Sequence, residues 1–219
     1  MPPHRDLMSS PAASLAAPPR FSATIRWIAV VWFVVWFPAY WHAWGLANFL
    51  HLCDLAVVLT CIGFWTGSPL LISTQALSSL VIDAAWILEA GWRVVAGRPL
   101  IGGTEYLFDP HVALWIRLLS LFHVALPPLL LWALSRTGYD RRALAYQSGI
   151  AVVALVAARF TNPAANINYA FTDPFWHRVW GPAPLHISLT FLGLFIAVYL
   201  PTHFVLKVIY PSPSNRASQ

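Results

Sequence analysis

Apolar residues along this chain fall in six long runs: Ile25 to Trp44, Ala47 to Trp65, Pro69 to Trp92, His111 to Ser135, Arg142 to Phe160 and Ala183 to Tyr210. At about 1.5 Å of rise per residue, roughly 20 residues cross the ~30 Å hydrocarbon core of a bilayer. The pattern therefore predicts an all-α, polytopic membrane helical bundle of about six transmembrane helices, forming a single domain over residues 21–210. Residues 1–20, rich in Pro, Ala and Ser, are expected to be a disordered tail, and residues 211–219 a polar C-terminal tail. The first run is too long for a signal-peptide core and no small-residue cleavage site follows it, so it is expected to be retained. Pro127-Pro128 should kink the fourth span.

Composition supports the membrane class: 58% of the 219 residues are hydrophobic and 10% charged, too little polar surface to cover a soluble core. The net charge of +5 does not point to nucleic acid, because the basic residues form no patch interleaved with aromatics. Their distribution fits membrane orientation instead. With the N-terminus inside, Arg5, Arg20, Arg26, Arg136, Arg141, Arg142, Lys207 and Arg216 lie on the cytoplasmic side, against Arg93, Arg98 and Arg178 outside. That asymmetry predicts a cell (inner) membrane protein with both termini cytoplasmic. Cys53 and Cys61 are eight positions apart on one predicted helix, about 12 Å by helical rise. Disulfide geometry needs Cα atoms within about 7 Å, so both should be free thiols.

Alternating helix direction assigns each polar residue a depth. His51, Cys53 and Asp54 fall in the outer half of the second span, Asp83 and Glu89 in that of the third. Arg117 and His123 lie between the outer surface and mid-depth of the fourth, Arg159 ends the fifth, and His186 starts the sixth. The inner half holds almost no ionisable group apart from His203. One polar chamber is therefore expected, opening on the side away from the termini. Ionisable groups inside a membrane face a bundle interior or a wet cavity and are functional candidates by default.

Several chemistries fit these residues. Cys53 with a nearby histidine suits a thiol nucleophile and its base, against the plain alternative of a buried structural cysteine. His51 and Asp54, three residues apart, would share a helix face, and a carboxylate beside an imidazole fixes its tautomer. Asp83, Glu89, Arg117 and Arg159 suit two interhelical ion pairs. His51, Asp54, Asp83 and His123 are also a candidate metal set, although no HxxxH or HExxH spacing supports one, so no metal and no cofactor is expected. The amides of Asn162, Asn166 and Asn168 suit turns, or a lipid headgroup.

His51-Leu52-Cys53-Asp54 resembles the His-Leu-Cys-Asp motif of the YwaF-like integral membrane proteins of bacteria. Phe122-His123 resembles that family's Phe-x-x-His element in position. Asn168-Tyr169-Ala170-Phe171 is similar to its Gly-x-Asn-Tyr-Met-Phe motif, and Trp180-Gly181-Pro182-Ala183-Pro184 to its Gly-Pro-Trp-Pro element, with Ala183 in place of the tryptophan. The group is similar to a eukaryotic transmembrane acyltransferase that moves fatty acyl chains between phospholipids. The resemblance implies Cys53 as acyl acceptor and His123 as its base. The expected function is lipid acyl transfer or lipid-ester hydrolysis, with Cys53, His123, His51 and Asp54 catalytic and Asn168, Tyr169, Arg117, Asp83 and His186 in binding. The expected partner is a membrane lipid. The alternative is a non-enzymatic lipid-binding or carrier protein. Oligomeric state is not fixed by the sequence.

Reporter fusions after Gly97, Arg136 and Pro174 should read outside, inside and outside. A cytoplasmic signal at either outer position would break the six-span assignment.

Overall fold

A computed structural model of the chain describes residues 21–212. Residues 1–20 and 213–219, which hold the expected N-terminal tail and most of the C-terminal one, lie outside them. The described residues form helices joined by turns and two longer loops, with no strand among them. Helix α1 (Ala23–Trp44) starts at Ser22, whose hydroxyl accepts the Ile25 amide at 3.4 Å. It stops at Gly45, whose φ of 78° a side chain would resist. A 3-10 turn (Leu46–Leu50) leads into α2 (Leu52–Thr66). Gly67, left-handed at φ 67°, ends α2; Ser68 caps the next helix and Pro69 takes its first position, so α2 and α3 (Pro69–Ala96) form a tight hairpin.

The fourth apolar run is two pieces, α4 (Leu114–Leu119) and α5 (Phe122–Thr137). A break lies at Ser120-Leu121, and Pro127-Pro128, where a kink was expected, sit inside α5 without ending it. The ladder tightens there: the Ser120 amide reaches Arg117 O, Leu121 reaches Leu118 O and His123 reaches Ser120 O. Helix α6 (Ala143–Ala158) is followed by a long loop. The last run comprises α7 (Ala183–Leu194), a π turn (Phe195–Tyr199) and α8 (Leu200–Ile209). Pro201 has no amide to give to the preceding turn, and the π turn directly before it absorbs the misfit.

Four helical stretches are long and apolar enough to cross a membrane: Ala23–Trp44, Pro69–Ala96, Leu114–Thr137 and Ala183–Ile209. This is a multi-pass helical membrane bundle. The second and fifth predicted spans correspond to the shorter apolar helices Leu52–Thr66 and Ala143–Ala158, about 23 and 24 Å long by helical rise. Helix α3 is the central element, packed on α5, α2 and α6. Ile72, Ala76 and Leu77 of α3 and Leu130, Ala133 and Leu134 of α5 have no exposed surface. At the upper end Trp36 meets Phe49 and Phe122 edge-on, at 5.4 and 5.8 Å between ring centroids. Val31, Val34, Val153, Ile196 and Phe204 face outward, the apolar exterior a lipid-embedded bundle presents.

Without a hydrophobic drive between helices in lipid, close backbone approach matters more than bulk. A Cβ at Gly63 would meet Ile72 Cδ1 at 3.1 Å and Leu71 Cβ at 3.3 Å, whereas one at Gly149 would meet nothing within 4 Å. Gly63→Leu should therefore lower Tm in detergent by separating α2 from α3, and Gly149→Leu should leave it near wild type. Equal effects of the two substitutions would deny the close approach its structural role.

Candidate functional site

The site forms where α2 begins. His51 is extended at ψ 133°, so the helix starts one residue later and Cys53 stands in its first turn. The first-turn amides of a helix have no internal partner. Here Leu52 N–H donates to Asn168 Oδ1 at 2.9 Å, while Asn168 Nδ2 donates back to Leu50 O at 2.7 Å. One loop asparagine thus caps a helix 116 residues away. The amides of Cys53 and Asp54 point at the Cys53 sulfur itself.

The loop that delivers Asn168 is held by its own polar groups. Asn166, Asn168 and Tyr169 are all left-handed, a conformation asparagine tolerates better than most residues. Asn166 Oδ1 accepts the Phe171 and Thr172 amides and its Nδ2 donates to Thr172. His186 is fully buried at the start of α7. Its Nε2–H donates to Tyr169 O at 3.0 Å and its Nδ1 accepts the Trp180 amide at 3.1 Å. Asp173 accepts the amides of Phe175, Trp176 and Arg178 and the Trp180 indole N–H. Desolvation pushes the Asp173 carboxyl up, but these four donors outweigh it and hold it below the usual range.

His123 sits in the first turn of α5, directly after the Ser120-Leu121 break. Its Nδ1 is 2.8 Å from Asp83 Oδ1 on α3, and Asp83 has no exposed surface. The imidazole stacks on Trp86 at 4.5 Å and on Phe122 at 4.1 Å. A carboxylate at Nδ1 places the proton there, leaving the Nε2 lone pair available. Nε2 makes no hydrogen bond among the described residues.

A cavity of about 440 Å³ lies between these elements. His51, Cys53, Asp54, His123, Asn168 and Tyr169 all line it, as do Asn48, Trp86 and Tyr106. Asp83 stands behind His123. Arg117 and His186 are not part of its wall. Both cysteines are free, and Cys61 lines a separate apolar groove of about 310 Å³ with Trp32, Thr60 and Leu121.

Several expected pairings are replaced. Asp54 does not orient a histidine; it accepts the side-chain amide of Asn48, because His51 precedes the helix and does not share its face. The four charged residues expected to form two ion pairs do not meet. Asp83 pairs with His123, and Glu89 accepts the Leu100 and Ile101 amides at 2.7–3.2 Å. Arg117 donates to Leu107 O at 3.3 Å. Arg159 donates to Ala170 O at 3.1 Å and lies 4.2 Å over the Phe171 ring. Backbone at the helix ends supplies these partners, as it does wherever irregular chain is buried at membrane depth. Among the described residues no three His, Cys, Asp or Glu side chains converge to hold a metal, so the set His51, Asp54, Asp83 and His123 does not form such a centre.

Trp86 and Tyr106 gave no signal in the sequence. Trp86 Nε1 donates to the Tyr106 hydroxyl at 3.2 Å, joining α3 to the following loop. Burial pushes the Tyr106 phenol up to about 12, so it stays neutral in the cavity wall. Tyr106 stands in a non-periodic loop, where no spacing argument reaches it. No known protein family, curated protein or solved structure matches this chain.

The lowered acidity range of Asp173 has a testable sign. A carboxyl held below its unfolded value of about 4 stabilises the fold above that pH, and loses the contribution as pH falls through its folded value. Asp173→Asn should therefore lower Tm at pH 7, with the gap to wild type closing below about pH 4. A gap that stays constant down to acid pH would mean the Asp173 charge contributes nothing to the loop.

Proposed function

We propose that this protein is a membrane enzyme of the acyl-transfer class acting on a lipid ester, with Cys53 as nucleophile and His123 as its base. The observation that supports this most is one cavity lined by both residues, with the His123 Nδ1 tied to Asp83 and Nε2 left open. Nucleophile, base and orienting carboxylate are the recurring components of acyl transfer on unrelated folds. The resemblance of the His51-Leu52-Cys53-Asp54 and Phe122-His123 segments to the YwaF-like proteins points the same way. The orienting carboxylate in this reading is Asp83, and Asp54 with Asn48 shapes the wall.

In the first step the Cys53 sulfur attacks the ester carbonyl carbon and its proton passes to His123 Nε2. The carbonyl oxygen becomes an oxyanion at the start of α2, where the positive end of the helix dipole favours negative charge. Asn168, with its amide committed to Leu50 and Leu52, serves this step by holding that turn in place. Collapse of the intermediate breaks the carbon–oxygen ester bond; the lysolipid alkoxide takes the proton from His123, and a thioester remains on Cys53. A hydroxyl of a second lipid, or water, then attacks the thioester and gives its proton to His123. The thiolate leaves and recovers that proton. Transfer and hydrolysis differ only in the acceptor.

The test uses the full chain in phosphatidylcholine vesicles containing a lysophospholipid, with acyl exchange and free fatty acid read by mass spectrometry. Cys53→Ala and His123→Ala should each abolish turnover while the protein still melts cooperatively. Asp83→Asn should lower kcat by about 10² to 10⁴-fold, because the amide holds the wrong imidazole tautomer. The double variant should be no worse than either single one, since the two residues act as a unit. A hydroxylamine-sensitive acyl adduct on Cys53 is expected in wild type. Turnover that survives Cys53→Ala would end the proposal. Lipid retained in the purified cavity without turnover would establish the carrier reading.

A further inference from the structure

Asp83 uses only one of its carboxylate oxygens. Oδ1 meets His123, while Oδ2 is buried without a partner. Two more unpartnered polar atoms lie on the same helix at four-residue intervals, Ser79 Oγ and Gln75 Nε2. Four-residue spacing stacks side chains on one face of a helix, each about 6 Å along the axis from the next. All three residues are at most 1% exposed. A fourth, Gln147 Oε1 on α6, is also unpartnered; that residue is fully buried and its amide nitrogen reaches the Tyr199 hydroxyl at 3.2 Å. Helix α6 and the π turn that carries Tyr199 both pack on α3. At the same end of α3, on the opposite side of the helix, the Ser73 hydroxyl accepts the Asp140 amide of the α5–α6 loop at 2.9 Å.

Buried polar atoms in native proteins are satisfied, and inside a bilayer core an unsatisfied one costs several kcal/mol. One such atom is a local matter. Three stacked on one face of α3 and a fourth on α6, which packs on it, are of mixed donor and acceptor character, the kind of lining internal water needs, two to four partners per molecule. An ion-binding role fits less well: Gln75 Nε2 can only donate, and Asp83 is the one charged group of the four.

We propose that α3 carries a binding file for internal water molecules, held by Gln75, Ser79, Gln147 and Asp83 Oδ2, and that this file exchanges protons between the Asp83–His123 pair and the α5–α6 end of the bundle. In each hop a water takes a proton on one side and releases one on the other, so no net charge is stored. The file keeps His123 in exchange with bulk water when lipid fills the cavity and closes the direct route. This assignment stands on the packing of α3 and does not depend on acyl transfer.

The test is carried out on the full chain in phosphatidylcholine nanodiscs with ¹⁵N-histidine. The signal of the His123 Nδ1 proton is assigned by its disappearance in His123→Gln. Cys53 is first capped with a long-chain alkyl methanethiosulfonate, which fills the cavity and shuts its direct route. Exchange of the His123 proton with water should persist in the capped wild type and be lost in capped Ser79→Val and capped Gln75→Leu. Uncapped variants should still exchange, showing that the cavity route is intact. Exchange lost on capping the wild type, or unaffected by both substitutions, overturns the proposal. Ser79→Ala provides a second measurement that needs no cap. Removing a hydroxyl that bonds water should lower Tm, whereas removing one that is dry and unsatisfied should raise it. A raised Tm likewise overturns the proposal, whatever the activity of the enzyme.

Discussion

A carboxylate with no exposed surface, inside a bundle that lipid surrounds, has to be partnered within the protein. Asp83 meets that constraint through His123, and much of the upper half of the structure follows from bringing the two together. Had α4 continued unbroken into α5, the ring of His123 would have pointed along the phase set by the preceding turns. The Ser120-Leu121 break frees that phase. Ser120 is fixed in turn by its hydroxyl, 2.7 Å from the Tyr40 hydroxyl of α1. The position of His123 therefore depends on three helices, and its plane on Trp86 and Phe122. A base held on both faces and at Nδ1 has one degree of chemical freedom left, the lone pair on Nε2.

The opposite wall is organised by backbone satisfaction rather than charge. A helix that begins at membrane depth exposes first-turn amides that its own backbone leaves without partners. Asn168 removes one of them and binds the Leu50 carbonyl in the same stroke. A hydrogen bond of this kind contributes about 1 kcal/mol net, and leaving either group unsatisfied costs more. That asymmetry explains why a loop of asparagines and prolines is bound so firmly by Asn166, Asp173 and His186. The histidine expected in binding is a strut in this scaffold, since both of its ring nitrogens are engaged.

Depth was legible in the sequence and rotation was not. Runs of apolar residues are forced by the thickness of the bilayer, so the six helical regions fall where hydropathy places them. Of the residues that share the outer layer, His51, Cys53, Asp54 and His123 line one cavity, whereas Glu89, Arg117, Arg159 and His186 do not. Which residue meets which depends on the rotation of each helix about its axis. Hydropathy carries little of that, because lipid-facing and core-facing residues are both apolar. Asp83 was therefore matched by charge to arginine, when the partner at the right rotation was an uncharged-capable histidine on the neighbouring helix. The break at Ser120 was not legible for a related reason: its hydroxyl partner is Tyr40, 80 residues away. Gln75 and Ser79 of α3 carry no charge, and in an apolar run uncharged polar residues give no depth signal of their own.

The two open valences of the Asp83–His123 pair decide how the pair should be read. A purely structural polar contact in a membrane gains by satisfying every lone pair and proton, as Glu89 does with the Leu100 and Ile101 amides and as His186 does with Trp180 and Tyr169. The same chain thus shows what closed polar struts look like at this depth. Asp83 and His123 are built differently. His123 leaves Nε2 open toward the cavity that Cys53 lines, and Asp83 leaves Oδ2 open beside the polar stripe of α3. The openings lie at opposite ends of one hydrogen bond. A proton acceptor needs the first opening in order to receive a proton, and a carboxylate that exchanges protons with water needs the second. The contrast with Glu89 and His186, drawn within one molecule, is what the proposed chemistry at this site builds on.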